Sequence, residues 1–221
     1  MKEFIGYKSI DVPKFIKNKH NIKWTKKEAV IYKEWILENY EQRANYLIKY
    51  LKSQDVVNEI QKNENKPEIF LTIWKWFRKN CKVERRSKIS VWFEEIDMLR
   101  KGFSIDQEDV NAMQYKLTKK SEEVAIDIGF YMAREILKNH PNISWKETEV
   151  PEDDIEANLY QLDGFHDSDD LEEGEEPFEF GINPLRYIGS LCDDMFEKEA
   201  ESTDESLYKM YLELTKWAEE C

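Results

Sequence analysis

The densest group of chemically capable side chains in this sequence is a run of carboxylates in its C-terminal third. Residues 147–179 contain 15 Asp or Glu and no Lys or Arg. Carboxylates at this density can bind a basic partner, because complementary charge raises the encounter rate and adds specificity. A solvated acidic loop without a specific role is the simpler alternative. The densest stretch consists of Asp167, Asp169, Asp170, Glu172, Glu173, Glu175 and Glu176.

Calcium binding is a second chemistry that such carboxylates could serve. An EF-hand loop needs Gly at its sixth position and Glu at its twelfth. Counted from Asp167, these positions hold Glu172 and Phe178, so the motif fails. We therefore expect no metal and no cofactor.

Catalytic signatures are weak throughout the chain. His166-Asp167 could belong to a metal-dependent hydrolase, but such a site needs further histidines, and the chain offers only His20 and His140. No nucleophile elbow, phosphate-binding loop or dinucleotide fingerprint occurs. Cys192 falls on the apolar face of a predicted helix, as a buried structural thiol would. We expect no catalytic residues and no enzymatic activity; an unrecognised hydrolase, joining a thiol or carboxylate to a histidine, remains the alternative.

The basic N-terminal half permits a different function. Residues 1–102 carry 23 Lys or Arg against 14 acids, whereas residues 103–221 carry 10 against 32. Basic residues beside Trp74 and Trp76 suit a nucleic-acid groove, although the net charge of −13 disfavours a general nucleic-acid binder. The halves could equally attract each other within the chain. The two basic clusters are Lys14, Lys17, Lys19, Lys23, Lys26 and Lys27, and Arg78, Lys79, Lys82, Arg85, Arg86 and Lys88.

The elements that must position these groups are mostly helices in the first 140 residues. Thr25 and Glu28 form a capping box before a long amphipathic helix over 26–52. Pro67 predicts the start of the next helix, and a basic break follows at 82–88. Trp92 lies in a further short helix, and a second capping box at Ser104 and Gln107 opens helical sequence that continues, with an interruption allowed, to Asn139.

After Pro141 the pattern changes to short strands. The segments 143–150, 159–162 and 178–182 carry β-branched or alternating apolar residues and predict a small antiparallel sheet, because their connections are too short for helical crossovers. Asn183-Pro184 predicts a helix start, and Ser202 with Glu205 predicts another. The expected fold class is α+β and predominantly α-helical, with a helical N-terminal half followed by a small antiparallel sheet flanked by helices.

Composition bounds the class of protein. Aromatic residues reach 13%, which argues against disorder. No apolar run is long enough to span a bilayer, and the N-terminus has no secretory h-region. Three dispersed cysteines without C-x-x-C suit reduced thiols. We expect a cytoplasmic protein with no membrane association, built as a basic half, 1–102, and an acidic half, 103–221, or as one single domain.

Part of the acidic half resembles a known class of bacterial proteins. Residues 128–196 are similar to uncharacterised small bacterial proteins of the toxin–immunity type, a resemblance that implies binding to a protein partner and supplies no catalytic residue. The motifs that carry it are Asn139-His140-Pro141, Ile143-Ser144-Trp145, Leu162-Asp163-Gly164-Phe165 and Ile182-Asn183-Pro184-Leu185.

The leading hypothesis is therefore an immunity or inhibitor-type protein that covers a basic partner such as a toxin. The acidic stretch 167–176 would steer the encounter. Trp145, Tyr160, Phe165 and Phe178 are candidate anchors, because binding energy concentrates in buried aromatic residues. Aromatic residues with this patterning also commonly belong to the core. A nucleic-acid-associated regulator that uses the basic half is the second hypothesis, and the sequence leaves the oligomeric state open.

Overall fold

The structure is a computed structural model that describes residues 3–18, 21–92, 96, 110, 113–151, 154, 157–167, 178–196 and 202–219. Within these ranges the fold is α+β and predominantly helical, which confirms the predicted fold class. The capping box at Ser104 and Gln107 and the half boundary near 102 lie outside the described residues.

Helices dominate the N-terminal half. Their bounds are α1 Lys14–Asn18, α2 Lys26–Leu51, α3 Val57–Asn63 and α4 Ile69–Asn80, with a 3-10 turn at Asn21–Lys23. The Thr25–Glu28 capping box is present at the start of α2 as predicted. α3 was not predicted, because it has no side-chain cap and buries only Ile60. α4 begins two residues after Pro67, which lies in the preceding turn.

The predicted basic break contains a strand. β1 Val83–Arg85 pairs antiparallel with β2 Tyr115–Leu117, and residues 88–92 are helical. Most side chains of both strands are exposed. Without a buried face these strands lack the hydrophobic alternation by which a strand is recognised in sequence.

Helix α5, Lys119–Asn139, is the central helix of the fold. Thr118 caps it by accepting a hydrogen bond from the Ser121 amide. Another part of the chain approaches α5 closely at Gly129, where an added Cβ would lie 2.8 Å from Leu185 Cδ2. α5 therefore packs both against α2 and against the helix that follows the sheet.

The three-stranded antiparallel sheet has the order β3-β4-β5. Its strands are β3 Ser144–Glu147, β4 Tyr160–Asp167 and β5 Phe178–Ile182. β4 runs five residues beyond the predicted 159–162, and a bulge interrupts its pairing with β5 between Asp163 and Phe165. Gly164 supplies the positive φ of +104° at the bulge, a conformation that favours glycine.

Two helices complete the C-terminal half. α6, Pro184–Asp193, is capped by Asn183 with proline in its first turn, as predicted. α7, Ser206–Glu219, does not begin with the predicted Ser202–Glu205 capping box. Instead the Thr203 hydroxyl accepts from the Glu205 amide, and the Ser206 hydroxyl accepts from the Thr203 amide. Hydroxyls nearer to the helix start satisfy the free donors.

Both halves contribute to the same hydrophobic core. The main cluster joins side chains of α2 and α4, such as Leu47 and Trp74, to side chains of α5, the small sheet and α7, such as Ile128, Phe165 and Leu214. A second cluster joins α2 to Leu159 and Tyr160. The change of net charge between the halves thus does not coincide with a division of the hydrophobic core.

A buried ion pair ties α2 to α5 beneath the N-terminal segment. The Arg43 guanidinium donates to both Asp127 carboxylate oxygens, at 2.9 and 2.5 Å, and to the Lys8 carbonyl. The Tyr7 hydroxyl donates to Asp127 as well. Burial raises the pKa of Asp127 to about 6, although hydrogen bonds from Arg43 and Tyr7 act to lower it.

Candidate functional site: an acidic cleft beside the small sheet

The predicted acidic stretch connects the two longest strands of the sheet. Asp167 ends β4 and is paired with Phe178 at the start of β5. Six of the predicted site residues lie outside the described residues: Asp169, Asp170, Glu172, Glu173, Glu175 and Glu176.

The predicted aromatic anchors divide between core and surface. Phe165 is fully buried in the main cluster and exposes no surface to a partner. The bulge beside Gly164 turns Phe165 onto the core face that Leu162 also occupies. Tyr160 is largely buried and Trp145 is half-buried, whereas Phe178 is 71% exposed.

The outer face of the sheet is polar and carries two carboxylates, Asp163 and Glu179. Residues opposite each other on antiparallel strands share a face. The register pairs Lys146 with Gln161, Asp163 with Gly181, and His166 with Glu179, all on the face away from Leu162 and Phe165.

A cleft of about 590 Å³ lies beside this face. Four of its lining side chains are carboxylates and two are lysines, so it carries an excess of two negative charges. The lining residues are Lys33, Trp145, Lys146, Glu147, Glu149, Tyr160, Gln161, Asp163 and Glu179.

The two lysines are held by the carboxylates of the cleft. Lys33 of α2 donates to Glu147 at 2.6 Å, and its ammonium lies 5.4 Å from the centre of the Tyr160 ring. Lys146 donates to Asp163, and its ammonium is 4.0 Å from Glu179. The hydrogen bonds that both lysines donate to these carboxylates raise the lysine pKa values, so both side chains stay charged. The cleft already accommodates cations.

Two of the residues that line the cleft each have a buried polar atom without a hydrogen-bond partner among the described residues. One is the Gln161 amide oxygen Oε1 and the other is the Trp145 indole Nε1. Gln161 is only 7% exposed, and an added Cβ at Gly181 would lie 1.9 Å from its Nε2, so the amide lies directly over that glycine. Leaving such a group unpaired costs about 1–3 kcal/mol, which a ligand could recover.

The aromatic wall of the cleft is rigid. The Trp145 and Tyr160 rings stack with centres 5.5 Å apart and planes 7° from parallel, and Tyr40 of α2 packs edge-on against Trp145. The stacked pair therefore already contacts Tyr40 on one side and the Lys33 ammonium on the other part of the cleft.

A larger cleft of about 810 Å³ lies between residues 10–16, the start of α5, and α6. Three lysines and three carboxylates line it, so its charges balance, and none of its described lining residues has a buried polar atom without a partner. Cys192 borders it but is 3% exposed, and burial raises the pKa of its thiol. This cleft offers less to a ligand than the acidic one.

The histidines do not assemble a recognisable metal site. Across the described ranges, no three His, Cys, Asp or Glu side chains are grouped to hold a metal ion. His140 is buried at the C-terminal end of α5, where desolvation lowers its pKa, and His166 lies on β4; His20 is outside the described residues.

Several basic residues of the N-terminal half contact acids within the chain. Arg78 of the second basic cluster pairs with Asp204 of the acidic half at 2.8 Å, whereas Lys79 pairs with Asp55 of its own half at 3.3 Å. The Lys33–Glu147 and Arg43–Asp127 pairs also join the halves. Part of the charge difference is therefore satisfied internally.

Of the residues that line the cleft, only Trp145 and Tyr160 were named as binding residues from the sequence. The four carboxylates were counted only as part of the acidic run, and neither the lysines nor Gln161 were predicted. Gln161 and Gly181 carry a weak signal, since both occupy polar positions of alternating strands. Lys33 carries none, because it comes from a helix more than 100 residues away from Glu147.

Comparisons with known proteins identify no relative of this chain: no family model matches it, and no significant match is found among curated proteins or solved structures. None of the helices in the described ranges is both long and apolar enough to cross a membrane.

Proposed function

We propose that this protein is an immunity or inhibitor-type binding protein whose acidic cleft and sheet face cover a basic protein partner. The observation that carries the proposal is the buried amide oxygen of Gln161, which accepts no hydrogen bond from the described residues although Gln161 lines a cleft with four carboxylates. Such a surface binds more tightly to a partner that carries positive charge and hydrogen-bond donors.

The charge distribution supports a basic partner. In the sequence, the acidic segment 168–177 lies between Asp167, which ends β4, and Phe178, which begins β5 beside Glu179. Clustered charge of one sign accelerates association with a partner of the opposite sign.

The aromatic residues supply the apolar part of such an interface. Phe178 is the most exposed of the four predicted anchors, and Trp145 presents part of its ring beside the cleft. Protein interfaces concentrate their binding energy in a few aromatic and charged residues surrounded by weaker contacts. The resemblance of residues 128–196 to toxin–immunity proteins points in the same direction.

Affinity capture with matched variants tests this function. The tagged protein is incubated with lysate of its source organism at about 50 and 200 mM salt, beside a variant that carries Glu147→Gln, Glu149→Gln and Glu179→Gln. The proposal expects a basic protein retained at stoichiometric level by the parent protein and lost in the variant, with the larger difference at low salt, because salt screens exposed charges.

A second variant controls for net charge alone. Glu59→Gln, Glu68→Gln and Glu213→Gln remove the same charge from exposed positions on other parts of the fold, and this variant should retain the partner. Retention that is equal in both variants contradicts an acidic binding face. Nucleic acid retained at low salt and released at higher salt, in place of a protein, would favour the basic-half alternative.

A further inference from the structure

We infer that the acidic cleft receives an arginine side chain, with the Gln161 amide oxygen accepting a hydrogen bond from its guanidinium group. The inference rests on the proposed function and specifies which chemical group of the partner the cleft recognises.

The geometry around Gln161 favours a ligand that donates a hydrogen bond. Gly181 leaves room for the amide, which lies over the glycine with an acceptor that no described residue satisfies. Asp163 lies opposite Gly181, and Glu179 lies two residues before Gly181 on the same face of β5. A buried amide oxygen and two carboxylates thus lie on one polar surface.

A guanidinium group suits this set better than an ammonium group. It carries five N–H donors in a planar fork, so it can bind a carboxylate and an amide oxygen together. Lys33 already lies over Tyr160 within the same cleft, which shows that its wall tolerates a positive charge.

The test uses acetyl-Ala-Arg-Ala-amide and the same peptide with citrulline, the uncharged analogue of arginine. Binding is followed in the ¹⁵N-labelled full chain through the Trp145 indole N–H and the Gln161 side-chain amide signals, which are assigned with Trp145→Phe and Gln161→Leu. We expect the arginine peptide to shift both signals and the citrulline peptide to bind at least about tenfold more weakly, as losing a charged hydrogen bond implies.

Variants at Gln161 separate recognition from structural support. Gln161→Leu keeps the side-chain bulk and removes the acceptor, so the dissociation constant should rise about tenfold or more. Gln161→Glu keeps an acceptor and adds charge, so it should bind arginine at least as tightly as the parent protein. Thermal unfolding establishes that each variant is folded.

Several outcomes overturn the inference. These are equal affinity for the arginine and citrulline peptides, equal affinity for a lysine peptide, an unchanged dissociation constant in Gln161→Leu, or equal losses in the Leu and Glu variants. The two proposals can fail separately. If the Glu147/Glu149/Glu179 variant no longer retains a basic protein but Gln161→Leu retains it as well as the parent protein does, only the arginine site is overturned. If the arginine peptide binds but no basic protein is captured, the arginine site is supported and the proposed function is overturned.

Discussion

Removing Arg43 should be one of the most damaging single changes away from the acidic cleft. Arg43→Met keeps much of the side-chain length and leaves the Asp127 carboxylate, which is fully buried, without its charged partner. Breaking a buried ion pair by removing one partner costs about 3–5 kcal/mol, because the remaining charge is uncompensated.

The expected size of the effect is measurable by thermal or urea unfolding. A loss of about 3–5 kcal/mol lowers the melting temperature of a chain of this length by roughly 6–20 °C. Native proteins have about 5–15 kcal/mol of stability, so the variant should still fold at low temperature. Lys79→Met is the control: it removes an ion pair in which both side chains are more than half exposed, and it should cost about 1 kcal/mol or less.

The loss should also depend on pH. Burial already raises the pKa of Asp127 to about 6, and Arg43 opposes that rise, so removing Arg43 raises the pKa further. The folded state then binds a proton that the unfolded state releases, and stability falls as pH rises through the window between the two pKa values. The deficit of Arg43→Met relative to the parent protein should therefore be larger at pH 8 than at pH 5.

A double-mutant cycle completes the test. Asp127→Asn in the Arg43→Met background removes the uncompensated charge, so the double variant should be about 1–3 kcal/mol more stable than the sum of the two single losses predicts. A cost below about 1 kcal/mol for Arg43→Met, losses that simply add, or a deficit that does not change with pH would refute this account.

Two further substitutions probe the packing that supports the site. Gly129→Ala should destabilise the fold by about 1–3 kcal/mol in urea unfolding, because the new Cβ would lie 2.8 Å from Leu185 Cδ2 and 3.3 Å from nearby backbone atoms. An unchanged unfolding midpoint would mean that α6 moves away from α5 without a cost in free energy. Asn183→Ala should lower the free energy of unfolding by about 1–3 kcal/mol in thermal unfolding. The substitution removes the cap of α6 and the amide donors to the Tyr32 hydroxyl and to the Tyr160 carbonyl. A loss of only a few tenths of a kcal/mol would show that water replaces these bonds.

Local sequence signals identified most of the helices and strands. The Thr25–Glu28 box, the Asn183-Pro184 start and the alternation of 178–182 each depend on residues within one or two turns of each other, and each is present in the structure. Elements without a local signal were missed, namely α3 and the β1–β2 pair, whose strands are separated by about 30 residues.

The candidate site could be predicted only in part. The sequence identified an acidic surface with aromatic neighbours, because charge and aromatic content can be counted without a fold. It did not distinguish Phe165 as core from Phe178 as surface, because strand alternation has a period of two and the bulge at Gly164 shifts that period. Gln161 became notable only when its register placed it over Gly181.

Composition and short-range pattern thus determined the fold class, the capped helices and the sign of the charge on the C-terminal half. Tertiary structure decided which charges meet: it placed Lys33 beside Glu147 and Arg43 beside Asp127, and it left the Gln161 oxygen without a partner among the described residues. Capping and periodicity act over a few residues, whereas these contacts join segments 80 or more residues apart or depend on strand register. Such contacts form only when the hydrophobic core brings the segments together.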